Sequence, residues 1–93
     1  MSNWSLYLIE TANGQLYAGI STDVSRRFGE HQANGAKTAR SLRGKGPLTL
    51  KFQQPIGDHG MALRLERKVK QLPRAKKLSL IAQQWSLLDL VDS

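Results

Sequence analysis

From Trp4 to Ile20 the chain reads "WSLYLIETANGQLYAGI", two apolar-rich stretches around Asn13-Gly14, the pattern of a β-hairpin. Loop length decides which side chains share a face, because a one-residue slip turns a whole strand over. A two-residue Asn-Gly turn would put Leu6, Leu8, Glu10, Tyr17 and Gly19 together, mixing apolar and polar classes. A three-residue loop, Ala12-Asn13-Gly14, instead groups Leu6, Leu8, Leu16, Ala18 and Ile20 as a core face. It also sets Tyr7, Ile9, Tyr17 and Gly19 together on the opposite, non-core face. The second register is cleaner, and it calls for Gly14 in a left-handed conformation.

The period then changes. A helix is expected from about Asp23 to Asn34, with Asp23 or Thr22 as N-cap and Gly35 as the stop. Val24 and Phe28 face the core, while Arg27 and His31 form a parallel row one turn apart, with His31 at least half exposed. "GAKTARSLRGKG" is a glycine-punctuated basic loop without apolar periodicity. "PLTLKFQQ" (47–54) alternates as a third strand, with Pro47 at its start and Leu48, Leu50 and Phe52 on one face. From Asp58 a second helix carries Ala62, Leu65, Val69 and Leu72 at helical spacing, and Pro73 ends it. "RAKKLSLIAQQWSLLDLV" continues with Leu78, Ile81, Ala82, Trp85 and Leu88, again at helical spacing. The order is ββαβαα, an α/β (α+β) fold in which helices pack on a three-stranded mixed sheet. One domain is expected over 1–93, with a core at about 4–80 and a C-terminal helical extension at about 81–91.

At 93 residues such a chain can build a hydrophobic core unaided. It has no cysteine, which excludes disulfides and thiolate metal sites. There is no apolar run long enough to span a bilayer, and "MSNWSLYLIE" lacks the basic start of a signal peptide, so a cytoplasmic protein is expected. Charge adds more. All 14 lysines and arginines lie between Arg26 and Lys77, a stretch with only the acids Glu30, Asp58 and Glu66. A solubilising surface would intersperse both signs, so concentration of one sign points to a polyanionic partner, nucleic acid before membrane.

Within that basic stretch few residues could do chemistry. Tyr7 and Tyr17 favour sheets on any reading, but their adjacency beside Gly19, which would leave room for a ligand, sets them apart. Arg27 points along the His31 row, whereas Arg26 lies about 100° away around the helix. Glu66 sits at the border of the apolar stripe between Ala62 and Val69, four residues before Lys70. A carboxylate at the edge of the core, inside a cationic surface, suits a divalent cation shared with phosphate. His59, in "IGDHG", has no partner at ligand spacing. The residues themselves support a nucleic-acid-binding α/β domain with a Tyr/Arg/Glu site.

Taken in order, these residues resemble the GIY-YIG nuclease superfamily, most closely its small stand-alone bacterial members, the YhbQ-like (UPF0213) group. The resemblance spans about residues 4–80. Ser5-Leu6-Tyr7 corresponds to the first motif and Tyr17-Ala18-Gly19 to the second, with alanine in place of isoleucine. The family arginine corresponds to Arg27, its "EH" to Glu30-His31 and its metal-binding glutamate to Glu66. "GAKTAR", "PL" and "ALRLERKVKQL" are further typical of the stand-alone group. The resemblance implies hydrolysis of DNA phosphodiester bonds, with DNA repair as the setting, using one Mg²⁺ or Mn²⁺ held by Glu66. Tyr7 would be general base, with Arg27 and the metal lowering its pKa, and Tyr17 and His31 would orient water or relay the proton. Lys37, Arg40, Arg43, Lys45 and Lys70 would grip the nucleic-acid backbone. In one respect the chain departs from the family. Many members carry an asparagine near the end of the domain, and none follows Asn34 here, where Gln83 or Gln84 is the nearest substitute. That departure leaves a second expectation, a nuclease fold that only binds DNA or RNA.

Overall fold

The computed structural model describes residues 3–90. Strands β1 (Trp4–Glu10) and β2 (Leu16–Ser21) form the expected hairpin, followed by α1 (Val24–Gln32), β3 (Thr49–Gly57), α2 (His59–Lys70) and α3 (Arg74–Ile81). Two short 3₁₀ turns, Arg40–Leu42 and Leu87–Leu90, complete the chain. The sheet order is β2-β1-β3.

The hairpin takes the three-residue register. Leu6 pairs with Ile20, Tyr7 with Gly19, Leu8 with Ala18 and Ile9 with Tyr17. The Thr11 N–H donates to the Gln15 carbonyl at 2.9 Å, closing the loop over Ala12-Asn13-Gly14, and Gly14 has φ +85°. Leu6, Leu8 and Ala18 therefore face one way, into a core completed by Leu65, Val69, Leu80 and Leu87.

The opposite face is also a core, contrary to expectation. Tyr7 and Ile9 are fully buried there against Val24, Leu42 and Leu48, with Tyr17, Phe28 and Leu50 packed around them. The cover comes from α1 and from the basic loop, whose 3₁₀ turn delivers Leu42 to the centre of that cluster. The loop also buries Thr38, whose hydroxyl donates to the Glu30 carbonyl at 2.9 Å. A segment without periodicity thus closes the second layer.

Three further expectations are corrected. The sheet is wholly antiparallel rather than mixed, because β2 and β3, which run parallel to each other, lie on opposite sides of β1 and never pair. In β3 the register with β1 shifts between Leu8 and Ile9, so that Phe52 faces Leu8 while Leu50 faces Ile9. This bulge at Lys51 sends Leu48 and Leu50 into the tyrosine-side core and Phe52 into the other. Finally, the stripe through Leu78 and Leu88 does not hold. Leu78 is 40% and Leu88 65% exposed, whereas Leu80 and Leu87 are buried. The chain leaves α3 at Ala82 and turns through Gln83, at φ 61°, which breaks the helical phase. The proposed helical extension is therefore the turn at Leu87–Leu90, and residue 91 lies outside the described residues.

Local signals set the helix ends. The Asp23 side chain accepts the Arg26 N–H at 3.1 Å and Asp58 accepts that of Met61 at 2.8 Å. At the far end of α1, Asn34 rather than Gly35 takes the left-handed residue, φ 54°. Among the described residues no helix is long and apolar enough to cross a membrane.

Candidate active site

Tyr7 sits at the centre of β1 and its ring lies across the neighbouring strand over Gly19. A Cβ on Gly19 would come within 2.5 Å of the phenol oxygen and 2.6 Å of the ring carbon bearing it. The space expected at Gly19 for a ligand is filled by Tyr7 itself. Tyr17, two residues away on the same face, is half-buried, with ring centroids 6.4 Å apart.

The third ring is His31. Helix α1 points it inward, so it is buried rather than exposed, 5.7 Å from the Tyr17 centroid and 6.2 Å from that of Tyr7. The Ala39 N–H donates to His31 Nδ1 at 3.2 Å, and His31 Nε2 lies 3.1 Å from the Tyr7 hydroxyl. A backbone N–H can only donate, so Nδ1 carries the lone pair and the proton of neutral His31 must sit on Nε2. His31 therefore donates to the Tyr7 oxygen. With both nitrogens engaged it has nowhere to accept the phenol proton, which replaces the expected relay with an orienting role. Burial, then the Arg27 charge, lower the His31 pKa and keep it neutral.

Arg27 closes the site from the same helix. Its guanidinium donates to Glu30 Oε1 at 3.0 Å and to the Lys37 carbonyl at 2.6 Å, tying α1 to the basic loop. It remains 31% exposed, against 64% for Arg26, which points to solvent. The Tyr7 pKa is pushed up to about 12, first by burial and then by Tyr17, and the nearby Arg27 charge opposes this without cancelling it. Arg27 alone therefore leaves the Tyr7 phenol above its ordinary value, where the expectation assigned its activation to Arg27 and a metal together. Tyr17 is raised by burial as well, lowered by Arg27 and raised again by Glu66. Glu30, which the resemblance matched to the family motif without giving it a role, is the anchor that holds Arg27. The hydrogen bond from Arg27 holds its own pKa low. Its i, i+3 spacing from Arg27 was the available signal.

Glu66 arrives from α2, on the other side of the sheet, yet its charge is felt by both phenols. Lys70 locates it: its ammonium lies 3.7 Å from the Glu66 carboxylate and 5.9 Å from the Tyr17 ring centroid. Two phenols, a guanidinium and a carboxylate from β1, β2, α1 and α2 therefore converge. No group of three or more His, Asp or Glu side chains forms a metal cage among the described residues. A lone half-buried carboxylate does not suit structural zinc, but it does suit a hard cation that keeps its waters and shares a substrate phosphate.

The expected nucleic-acid-binding residues divide. Lys37 and Arg40 are exposed on the loop, while the Arg43 side chain folds back to the Thr38 and Ala36 carbonyls at 3.4 and 3.3 Å. Lys45 donates to Gln15 Oε1 at 3.0 Å, and Lys70 stands over Tyr17. Gln83 lies beside Phe52 and Gln53 on β3, at the sheet edge away from β2, so it does not replace the family asparagine at this site.

The GIY-YIG catalytic domain family model matches residues 3–79. The UPF0213 protein SG0387 of Sodalis glossinidius is 59% identical over 87 residues, 94% of this chain and 79% of that protein. The UPF0213 protein YhbQ of Escherichia coli is 50% identical over 93 residues, 100% of this chain and 91% of that one. A solution NMR structure of the UPF0213 protein BH0048 from Bacillus halodurans superimposes with a TM-score of 0.56 at 36% identity, covering 87% of this chain and 84% of that one.

Proposed function

The chain belongs to the GIY-YIG family of nuclease domains, and on that premise we propose that it is a metal-dependent endonuclease hydrolysing DNA phosphodiester bonds in the cytoplasm, with DNA repair as its setting. The observation that carries this reading is the convergence of Tyr7, Tyr17, Arg27 and Glu66 on one cationic corner.

Water attacks phosphorus, one P–O bond breaks, and the products are a phosphomonoester and an alcohol. Tyr7 takes the water proton, while the Nε2–H of His31 holds its oxygen in place and the Arg27 charge favours the phenolate. Arg27, clamped by Glu30 and the Lys37 carbonyl, offers its remaining N–H groups to the non-bridging oxygens, where charge accumulates. Tyr17 orients the water or the phosphate from the open side. Glu66 would hold Mg²⁺ or Mn²⁺, which supplies a Lewis acid for the phosphoryl and leaving oxygens when bound. Lys37, Arg40 and Lys70 attract the backbone without reading bases.

The test is cleavage of single-stranded, duplex and branched DNA with Mg²⁺, wild type against Glu66→Ala. We expect metal-dependent products with the wild type and a loss of at least about a hundredfold in the variant. Equal rates on every substrate overturn the enzymatic reading.

A second reading is favoured by one observation, the absence of an asparagine after Asn34 together with the placement of Gln83 at the far edge of the sheet. On this reading the domain only binds nucleic acid, DNA or RNA. Glu66→Ala would then keep full affinity, binding would need no metal, and affinity would fall steeply with salt.

A further inference from the structure

Next to Tyr17 the surface sinks into a hollow of about 260 Å³, walled by lysines from three separate elements: Lys45 of the basic loop, Lys70 of α2 and Lys77 of α3. Tyr17, Gln15 and Ser41 also line it. Its walls are tied together without a ligand. Lys45 reaches Gln15 Oε1, the Ala12 N–H donates to the Lys45 carbonyl at 2.9 Å, and the Arg74 guanidinium of α3 donates to the Gly14 carbonyl. Loop, hairpin and α3 are thus fixed around one concavity.

Its charge is not balanced. Lys70 has Glu66, but neither Lys45 nor Lys77 has an acidic partner among the described residues. Both are half-buried, so solvent screens their mutual repulsion less than it would at the open surface. An anion between them relieves it. The remaining lining offers an aromatic ring and an amide and hydroxyl able to hydrogen-bond, the complement of a nucleobase and sugar.

We infer that this hollow takes one unpaired nucleotide of the substrate strand, adjacent to the scissile phosphate, its phosphate between Lys45 and Lys77 and its base against Tyr17. The inference rests on the nuclease reading and names the substrate class: strands whose nucleotides are already unstacked, such as single strands and flaps. A paired nucleotide would have to leave its stack to enter, and that cost is least for an unpaired base.

Titration of the full chain with thymidine 5′-monophosphate, followed by NMR, tests this. The amides of Gln15, Tyr17, Ser41, Lys45 and Lys77 should move together, with thymidine and inorganic phosphate each binding about tenfold more weakly. Lys77→Ala should weaken the nucleotide about fivefold and raise KM for a single-stranded oligonucleotide. Inorganic phosphate matching the nucleotide, shifts spread along the whole basic loop, or duplex cleaved as well as single strand overturns the assignment. Glu66→Ala should still bind the nucleotide. Focused binding with no Glu66-dependent cleavage therefore overturns only the nuclease reading, and Glu66-dependent cleavage without focused shifts overturns only this one.

Discussion

Gly19 stands directly across the hairpin from Tyr7, and the phenol ring occupies the space where any Cβ at that position would lie. Gly19→Ala must push the ring out of the buried layer against Ile9 and Val24. We expect a loss of about 1–3 kcal/mol in urea unfolding, the range for overpacking, with cleavage falling alongside. Gly29→Ala is the control. It lies inside α1 with nothing within 4 Å of its Cβ, and should stabilise by about 0.5–1 kcal/mol through helix propensity.

His31 should titrate below its ordinary value, because burial and Arg27 disfavour its charged form. The sign follows from linkage: the unfolded chain binds the proton more tightly than the folded one. Stability conferred by neutral His31 is therefore complete above the ordinary histidine pKa of about 6.5 and is lost as pH falls below it. Thermal unfolding between about pH 7.5 and 5.5 should show this decline, and His31→Gln should flatten it. Nitrogen chemical shifts should report the proton on Nε2. A proton found on Nδ1 would contradict the Ala39 hydrogen bond.

With its pKa pushed up to about 12, Tyr7 is almost wholly protonated in the free protein at neutral pH. If it is the base, kcat/KM should rise about tenfold per pH unit from 7 to 9 without levelling off. Tyr7→Phe should remove both the slope and most of the rate. The same shift predicts lower stability at high pH. A raised folded pKa confers stability below the ordinary tyrosine value of about 10 and loses it as pH climbs through the folded one.

Arg27→Lys keeps the charge but loses the planar fork that reaches Glu30 and the Lys37 carbonyl together. Cleavage should fall by about a hundredfold, and the loop carrying Lys37 and Thr38 should exchange its amides faster with solvent. Unchanged exchange would show that the loop is held without Arg27.

Much of this molecule is written in local pattern. The residue classes on β1 and β2 select one register, and that register alone makes Tyr7 and Tyr17 neighbours. Asp23, Asp58 and Pro73 mark helix ends through their own side-chain and ring chemistry. The border position of Glu66 in the α2 stripe follows from the helical period. What periodicity cannot express is whether the second face of an element is covered. Leu42 and Thr38 come from a segment with no repeat, yet they close the layer over Tyr7, and His31 is buried only because that segment folds back to offer the Ala39 N–H. One extra residue at Lys51 divides Leu50 from Phe52, and one left-handed residue at Gln83 moves burial from Leu88 to Leu87. A single backbone irregularity resets the phase of everything after it, so tertiary packing settled those faces. It also brought Lys45, Lys70 and Lys77 together around a hollow.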